Sequence, residues 1–459
     1  MINVIIPILV LIGIVVIKKI PVIGGKVHWA LLISGAVALL TAGIFSPMAW
    51  VNAYIDGLNR LSWVILIAIF GSIYAETQIA MGTMDVVLGA SRSAFGRSPK
   101  GLYVAGMITL ILFDSLLGEG LSAACVVGVL IIPPLIDLGM EPEQVSASLV
   151  LGGLLGSLCP PMTNAIVLAS SLCGANYDEV LKWSFLTVPF CCIVIVAFYA
   201  IRWIKIKSLP EHLIPKEKAG TILKQGIAKL IPMLTLVVIM ILAYGPWNSK
   251  VNTNVITYVW GWLQKLVANI PFVNGLGNMI VLSLLTVTII ACCFKSTREY
   301  GIKNVIVNGW KKYLPCGAVH LCCALMLGGF YAAGLIDTIS EWASTLNTHA
   351  LKLGGAGAMG LMGMITGSQS TTQNVVLSFF GPALVATGMT PESAALAGAH
   401  IAMGSQAFPP TDLCTIVVAP LVAGVIGKKC DYVKSMMKSL PGFLFLYGFG
   451  ILLLFFNFA

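Results

Sequence analysis

Charge is what this sequence has least of. Only 10% of its 459 residues are Asp, Glu, Lys or Arg, against 58% hydrophobic residues and a mean hydropathy of +0.95. No polar stretch is long enough to build a soluble catalytic domain, so an enzyme module is excluded. Histidine is scarce too, five in all, and the twelve cysteines form neither a Cys-x-x-Cys spacing nor a cluster with histidine. Cys191-Cys192, Cys292-Cys293 and Cys322-Cys323 lie in apolar spans with their neighbours on different helix faces. They read as small buried hydrophobes, not as zinc ligands or a disulfide framework. The net charge of +9 comes from Lys and Arg in short loops, where it sets membrane orientation. No nucleic-acid partner is expected.

What is present is a succession of apolar runs, each of a length suited to a lipid bilayer. The expected spans are 2–17, 28–46, 61–79, 145–174, 183–201, 230–245, 275–293, 314–334, 393–426 and 440–458. The first is expected to stay as a transmembrane helix, because no small-residue cleavage site follows Lys18 and Lys19. Two further regions, 101–138 and 354–386, are long enough to enter the membrane and return as re-entrant hairpins. The positive-inside rule fixes the path. Arg92, Arg97 and Lys100 are cytoplasmic, Asp178 and Glu179 lie outside, and the basic stretch from Arg202 to Lys229 lies inside. Lys295 to Lys312 is again inside, Asp337, Glu341 and Glu392 outside, and Lys428 to Lys438 inside. Each half then holds five crossings and one hairpin, and the odd number inverts the second copy. The expected domains are a first inverted repeat (1–201), a basic cytoplasmic linker (202–229) and a second inverted repeat (230–459). Residues 80–100, 250–272 and 335–353 read either as interfacial segments or as ordinary amphipathic connectors, and 255–265, with Tyr258, Trp260 and Trp262, suits a helix at the headgroup level.

The halves carry the same unusual pattern. Gly139-Met140-Glu141-Pro142 and Gly156-Ser157-Leu158-Cys159-Pro160-Pro161 recur as Gly388-Met389-Thr390-Pro391 and Gly404-Ser405 through Pro409-Pro410. Both 388 − 139 and 409 − 160 equal 249. A proline pair inside a membrane helix removes N–H donors and leaves carbonyls upstream, while the half-helix that restarts offers N–H groups and a positive dipole end. Interrupted helices in matching places of two halves point to a secondary transporter and its site. The hairpin tips should be Asp114 to Ser122 and, by the same offset, Thr366-Gly367-Ser368-Gln369-Ser370-Thr371-Thr372-Gln373-Asn374, nine residues with eight polar side chains. Such a run must line a cavity. Candidate solute-binding residues are Glu119, Ser122, Thr163, Asn164, Ser370, Thr371, Asn374, Thr411 and Asp412. Asp114, Glu119 and Asp412 are intramembrane carboxylates, either functional or structural partners of nearby donors. His320 and His400 read as satisfied interior histidines.

On these residues the chain resembles the large membrane subunit of TRAP transporters, the DctM type, within the wider ion-transporter superfamily of elevator carriers. The resemblance runs through the arm Ile79 to Arg97, the Gly-rich first tip, Pro160-Pro161 and the second copy ending in Pro409-Pro410. It implies an all-α polytopic inner-membrane protein, an inverted-repeat elevator with two re-entrant hairpins and two broken helices. It implies sodium held near Gly118, Ser122, Gly156 and Pro160 in one half, and near Thr366, Gly367, Ser370, Gly404 and Pro409 in the other. It also implies uptake of a small organic acid such as a dicarboxylate, with a small membrane subunit and an extracytoplasmic solute-binding protein as partners. One departure stands out: Glu119 sits where the family's first tip carries small residues, and neither tip nor break holds an Arg to pair a carboxylate. Glu119 leaves three options open: proton coupling, replacement of a sodium, or attraction of a cationic or zwitterionic solute. Two other functions compete. One is a stand-alone cation/proton antiporter using Glu119, Asp114 and Asp412; the other is a membrane component that transports nothing.

Overall fold

The computed structural model describes every residue except 1, 18–20, 25, 118–123, 125–126, 161–162, 216, 245–254, 345–346, 411 and 458–459. Among the described residues there are helices and no strands. The expected spans are present with shifted ends. The span foreseen at 61–79 is the helix Pro47–Met81, 35 residues, about 52 Å at 1.5 Å per residue and longer than a bilayer core. The linker foreseen at 202–229 is in part the start of another span, since helix Ala219–Tyr244 begins inside it. Lys224 and Lys229 are good helix formers, so the basic stretch continues the helix beyond the membrane instead of unravelling. Among the described residues four helices are each long and apolar enough to cross alone. A fifth, Ile302–Ala332, bends by 49° between Leu314 and Gly317, around Pro315. The breaks divide other crossings into short apolar pieces, Asn164–Cys173 and Leu413–Ile426 among them.

The offset of 249 survives in three dimensions. Helix Pro99–Leu117 has its counterpart in Thr348–Thr366, with 348 − 99 and 366 − 117 both 249. Helices Pro142–Leu158 and Pro391–Ser405 start 249 apart, and so do Asn164–Cys173 and Leu413–Ile426. Packing between the halves is reciprocal. Pro142–Leu158 lies against Tyr432–Leu453 and Leu413–Ile426, while its counterpart Pro391–Ser405 lies against Tyr177–Trp203 and Asn164–Cys173. Such exchange of roles is the mark of a two-fold axis, as in an isologous dimer.

Two long helices cross at the centre of a glycine-lined seam. Pro47–Met81 and Ile302–Ala332 meet at Gly57 and Gly328, where an added Cβ would stand 1.8 Å from the carbonyl oxygen of Ala324 or Ala53 respectively. Gly35 of helix Val27–Thr41 and Gly329 form a similar close pair on the next face. Without water to drive apolar surfaces together, small residues and close backbone packing hold membrane helices. Deeper along the seam Glu76, 4% exposed at its side chain, pairs with Lys312 and accepts from the Tyr300 hydroxyl at 3.2 Å.

Contacts at the helix ends agree with the orientation drawn from charge. Lys438 meets Glu141 at 2.5 Å and the Asp431 N–H donates to Glu143, which puts two loops expected inside at one end. The Lys438 ammonium holds the Glu141 carboxyl below its ordinary value of 4.5. At the opposite end the Asn176 N–H donates to Glu392 at 3.0 Å, joining two loops expected outside. The arm expected at the headgroups is helix Thr83–Phe95, tied to the helix Ala219–Tyr244 through Thr83 Oγ1 and the Lys229 carbonyl at 2.9 Å. The outer helix Val255–Val267 exposes Tyr258 and Trp262 and docks through Trp260 Nε1 on Thr286 at 2.8 Å, in keeping with aromatic residues at the headgroup level.

Candidate functional site

The two breaks open with the same tight turn. At the first, the Cys159 N–H closes a tight turn on the Gly156 carbonyl at 2.9 Å; at the second, the Phe408 N–H does so on Ser405 at 3.1 Å. Both 408 − 159 and 405 − 156 equal 249. The next carbonyl along, of Ser157 or Gln406, loses its usual donor four residues on, because Pro161 and Pro410 have no N–H. One helical acceptor per break is therefore released at membrane depth, where each such group needs a partner. The chain restarts under a cap. Thr163 Oγ1 accepts from the Ile166 N–H at 3.2 Å, and Asp412 Oδ1 accepts from Cys414 and Thr415 N–H at 3.0 and 3.2 Å. The second Asp412 oxygen takes the Thr415 hydroxyl. Buried Asp412 thus uses both oxygens as a helix cap.

The second tip is well formed. Helix Thr348–Thr366 ends at Gly367, whose φ of 62° is the left-handed conformation that suits glycine. Ser368 Oγ then gathers the Thr371 hydroxyl at 3.0 Å and the Ser370 hydroxyl at 3.3 Å. After one turn at Gln369–Thr372 the chain widens into a π-helical turn, Gln373–Leu377, which carries Asn374. Widened turns of this kind concentrate at functional sites. Asn374 is fully buried; its oxygen accepts from the Cys323 thiol at 3.0 Å, and its Nδ2 has no partner.

This tip touches both breaks. The Gln369 N–H donates to Gln406 Oε1 at 3.1 Å, and Gln373 Nε2 donates to the Ala165 carbonyl at 2.9 Å in the helix that follows the first break. A pairing of each tip with its own break alone is therefore too simple. Gln369, Gln373, Gln406 and Cys323 were missed by sequence reasoning. The only sequence signal for Gln406 is its place at the released carbonyl, and for the other glutamines their membership of the polar run.

Of the other candidates, Gly156 packs so closely on the first hairpin leg that an added Cβ would lie 2.6 Å from Asp114 Cβ. The matching contact in the second half joins Gly363 to Ser405, with 363 − 114 again 249. Gly404 is not the equivalent of Gly156; it makes room for the Tyr447 backbone at 2.6 Å. Pro160 is buried and Asn164 half-buried beside Thr163, Thr366 bonds back to the Met362 carbonyl at 2.8 Å, and Pro409 is joined to Pro410 by a cis peptide. Asp114 and His400 are buried, as is His320. Gly118, Glu119, Ser122 and Thr411 lie outside the described residues.

Among the described residues no three His, Cys, Asp or Glu side chains converge on a metal position. The oxygens described at the second tip and at the breaks belong to hydroxyls, side-chain amides, the Asp412 carboxylate and backbone carbonyls. Hard oxygens of this kind are wrong for a soft transition metal.

Two solved structures share the fold. The Alcanivorax borkumensis YdaH transporter aligns with a TM-score of 0.60 at 14% identity, over 87% of this chain and 85% of that one. Neisseria gonorrhoeae MtrF aligns with a TM-score of 0.60 at 14% identity, over 98% of this chain and 94% of that one. No curated protein matches the sequence. A family model does: the DctM component of the tripartite ATP-independent periplasmic transporters matches residues 11–353. The chain belongs to that family, a secondary transporter component integral to the inner membrane.

Proposed function

We propose that this protein couples sodium to the uptake of a small organic acid such as a dicarboxylate. The observation that carries the reading is the second tip, whose glutamines reach both broken helices at once. A solute seated there meets Ser370, Thr371 and Asn374 from the tip, and Thr163, Asn164 and the capped start at Asp412 from the breaks. On this reading Glu119 and Ser122 would serve the same solute. Sodium would take oxygens near Gly118, Ser122, Gly156 and Pro160 on one side, and near Thr366, Gly367, Ser370, Gly404 and Pro409 on the other. Its bound charge offsets that of a carboxylate in a site without Arg.

The repeats, 1–201 and 230–459 about the linker 202–229, supply one hairpin and one broken helix each to a mobile unit. The glycine seam of Pro47–Met81 and Ile302–Ala332 serves as the fixed wall, and the mobile unit slides along it as an elevator. The family name implies two partners, a small membrane subunit and an extracytoplasmic solute-binding protein, within the lipid bilayer.

The test is uptake by proteoliposomes under a sodium gradient. Replacing Ser370 by Ala, Thr371 by Val and Asn374 by Leu should abolish sodium-dependent uptake while leaving the unfolding temperature near that of the parent chain; parental rates in all three would refute the site. MtrF is described as one of a class of antimetabolite efflux pumps, so flux is measured from both sides.

A further inference from the structure

The two broken helices meet at one sulfur atom. Ser157 and Gln406 are the residues whose carbonyls Pro161 and Pro410 leave without their usual donor, and 406 − 157 is 249. Their side chains converge on Met403. The Ser157 hydroxyl lies between the Leu154 carbonyl at 3.0 Å and Met403 Sδ at 3.8 Å, and Gln406 Nε2 donates to the same sulfur. Met403 is buried, so its sulfur cannot trade these donors for bulk water. The repeat carries this link once. The counterpart of Met403, 249 residues earlier, is Leu154, whose side chain accepts nothing.

Gln406 also holds the second tip. Its Oε1 accepts from the Gln369 N–H at 3.1 Å, Gln369 Nε2 donates to Gln373 Oε1 at 2.6 Å, and Gln373 Nε2 donates to the Ala165 carbonyl at 2.9 Å. The contacts therefore run from Ser157, ahead of the first break, through Met403, Gln406, Gln369 and Gln373 to Ala165, just beyond that break. They form a ring whose far side is the second break and the second tip. Gln406 and Gln373 each use both ends of the amide. Turning either one over would set acceptor against acceptor and donor against donor, so the direction of the ring is fixed.

A cation drawn to the carbonyl of Ser157 or Gln406 orders the residue that carries it. Because both side chains rest on one sulfur, that ordering extends to the other break, and the next ion meets a site already partly ordered. We infer, resting on the sodium reading above, that Met403 is a positioning residue that couples the two cation sites, so that filling one raises the affinity of the other. The coupling is reciprocal, whichever site fills first. A thioether suits this place. It is flexible and polarizable enough to follow either donor, and too soft to compete for a hard cation.

The test titrates the purified full-length chain in lipid nanodiscs with radioactive sodium alone, reading the number of ions bound and the Hill coefficient together. The parent should bind two ions with a Hill coefficient of about 1.5 or more, below the ceiling set by the number of sites. Met403→Leu is close in volume and keeps the packing; it should still bind two ions, with a Hill coefficient of about 1. Ser157→Ala keeps the carbonyl, loses the hydroxyl and should do the same. The double variant should fall no further, since both changes cut one link. Parental Hill coefficients in both single variants overturn the inference, as does loss of an ion in Met403→Leu at parental melting temperature, which would make Met403 part of a site. A parent that binds two ions independently overturns the coupling and leaves the sodium reading standing. A parent that binds none overturns both.

Discussion

Replacing Gly57 by alanine tests whether the seam between the two long helices is a rigid wall. The new Cβ would lie 1.8 Å from the Ala324 carbonyl oxygen and 3.0 Å from the Gly328 nitrogen. Ordinary contact begins near 3.4 Å, so the helices must part by about 1.6 Å. Neither obstacle is a side chain that could swing aside. Overpacking of a tight core costs about 1–3 kcal/mol, and backbone on both sides places this site near the top of that range. Against it stands the gain of about 0.5–1 kcal/mol when alanine replaces glycine inside a helix. The net loss is about 2 kcal/mol. Gly357 in helix Thr348–Thr366 has nothing within 4 Å of its added Cβ and serves as the control; Gly357→Ala keeps only the gain. Thermal and denaturant unfolding in one detergent would measure both variants. Gly57→Ala with Gly328→Ala should cost less than the sum of the two, because one separation of the helices accommodates both methyl groups. If Gly57→Ala melts at or above the parent temperature, as Gly357→Ala should, the seam is not close-packed and the reasoning fails.

Three further outcomes are expected. Asp412→Asn should keep both transport and stability, since asparagine caps a helix as well as aspartate does, whereas Asp412→Ala should lose about 0.5–2 kcal/mol; loss of proton-coupled exchange in Asp412→Asn alone would instead favour the antiporter. Lys312→Met should destabilise the protein strongly by leaving Glu76 buried with its counter-charge gone, and Lys312→Met with Glu76→Gln should recover much of that loss, as unfolding curves of the pair would tell. The Glu141 carboxyl, held below 4.5 by Lys438, favours the folded state above its unfolded pKa. That contribution is lost as pH falls through the lowered folded value. It is small for a surface pair, so Lys438→Ala should narrow the stability difference between pH 6 and the acid limb by only a little.

Much of the architecture was legible because proline, glycine and charge act locally. Pro160-Pro161 and Pro409-Pro410 follow directly on helix ends whose carbonyls they leave without N–H donors, and the 249-residue echo brought the second hairpin's first leg, the breaks and the caps into register. Lys and Arg in the loops gave an orientation in which Glu141 and Lys438 share one end and Asn176 and Glu392 the other, and each pair does meet. What stayed hidden depends on the meeting of distant segments. Gln373 reaches Ala165, and Cys323 reaches Asn374, across separations of 208 and 51 residues that no local pattern encodes. The helix ends at Pro47 and Ala219 were missed for another reason. Hydropathy marks where a helix enters lipid, not where it stops: Lys224 and Lys229 are good helix formers at the start of Ala219–Tyr244, and the start of Pro47–Met81 is held by its packing at Gly57 against Ile302–Ala332.

The exchange of partners between the halves has an energetic corollary. If the first half took the shape now held by the second, and the second that of the first, the same helix pairs would pack against one another with their roles reversed. An exchanged arrangement of this kind would reuse the same helix pairs, and the nearer its free energy to that of the present one, the more readily it is populated. A carrier wired in this way needs no external motor to reach its alternate form. On the proposed coupling, an ion gradient would need only to tilt the balance between two arrangements of the same helices.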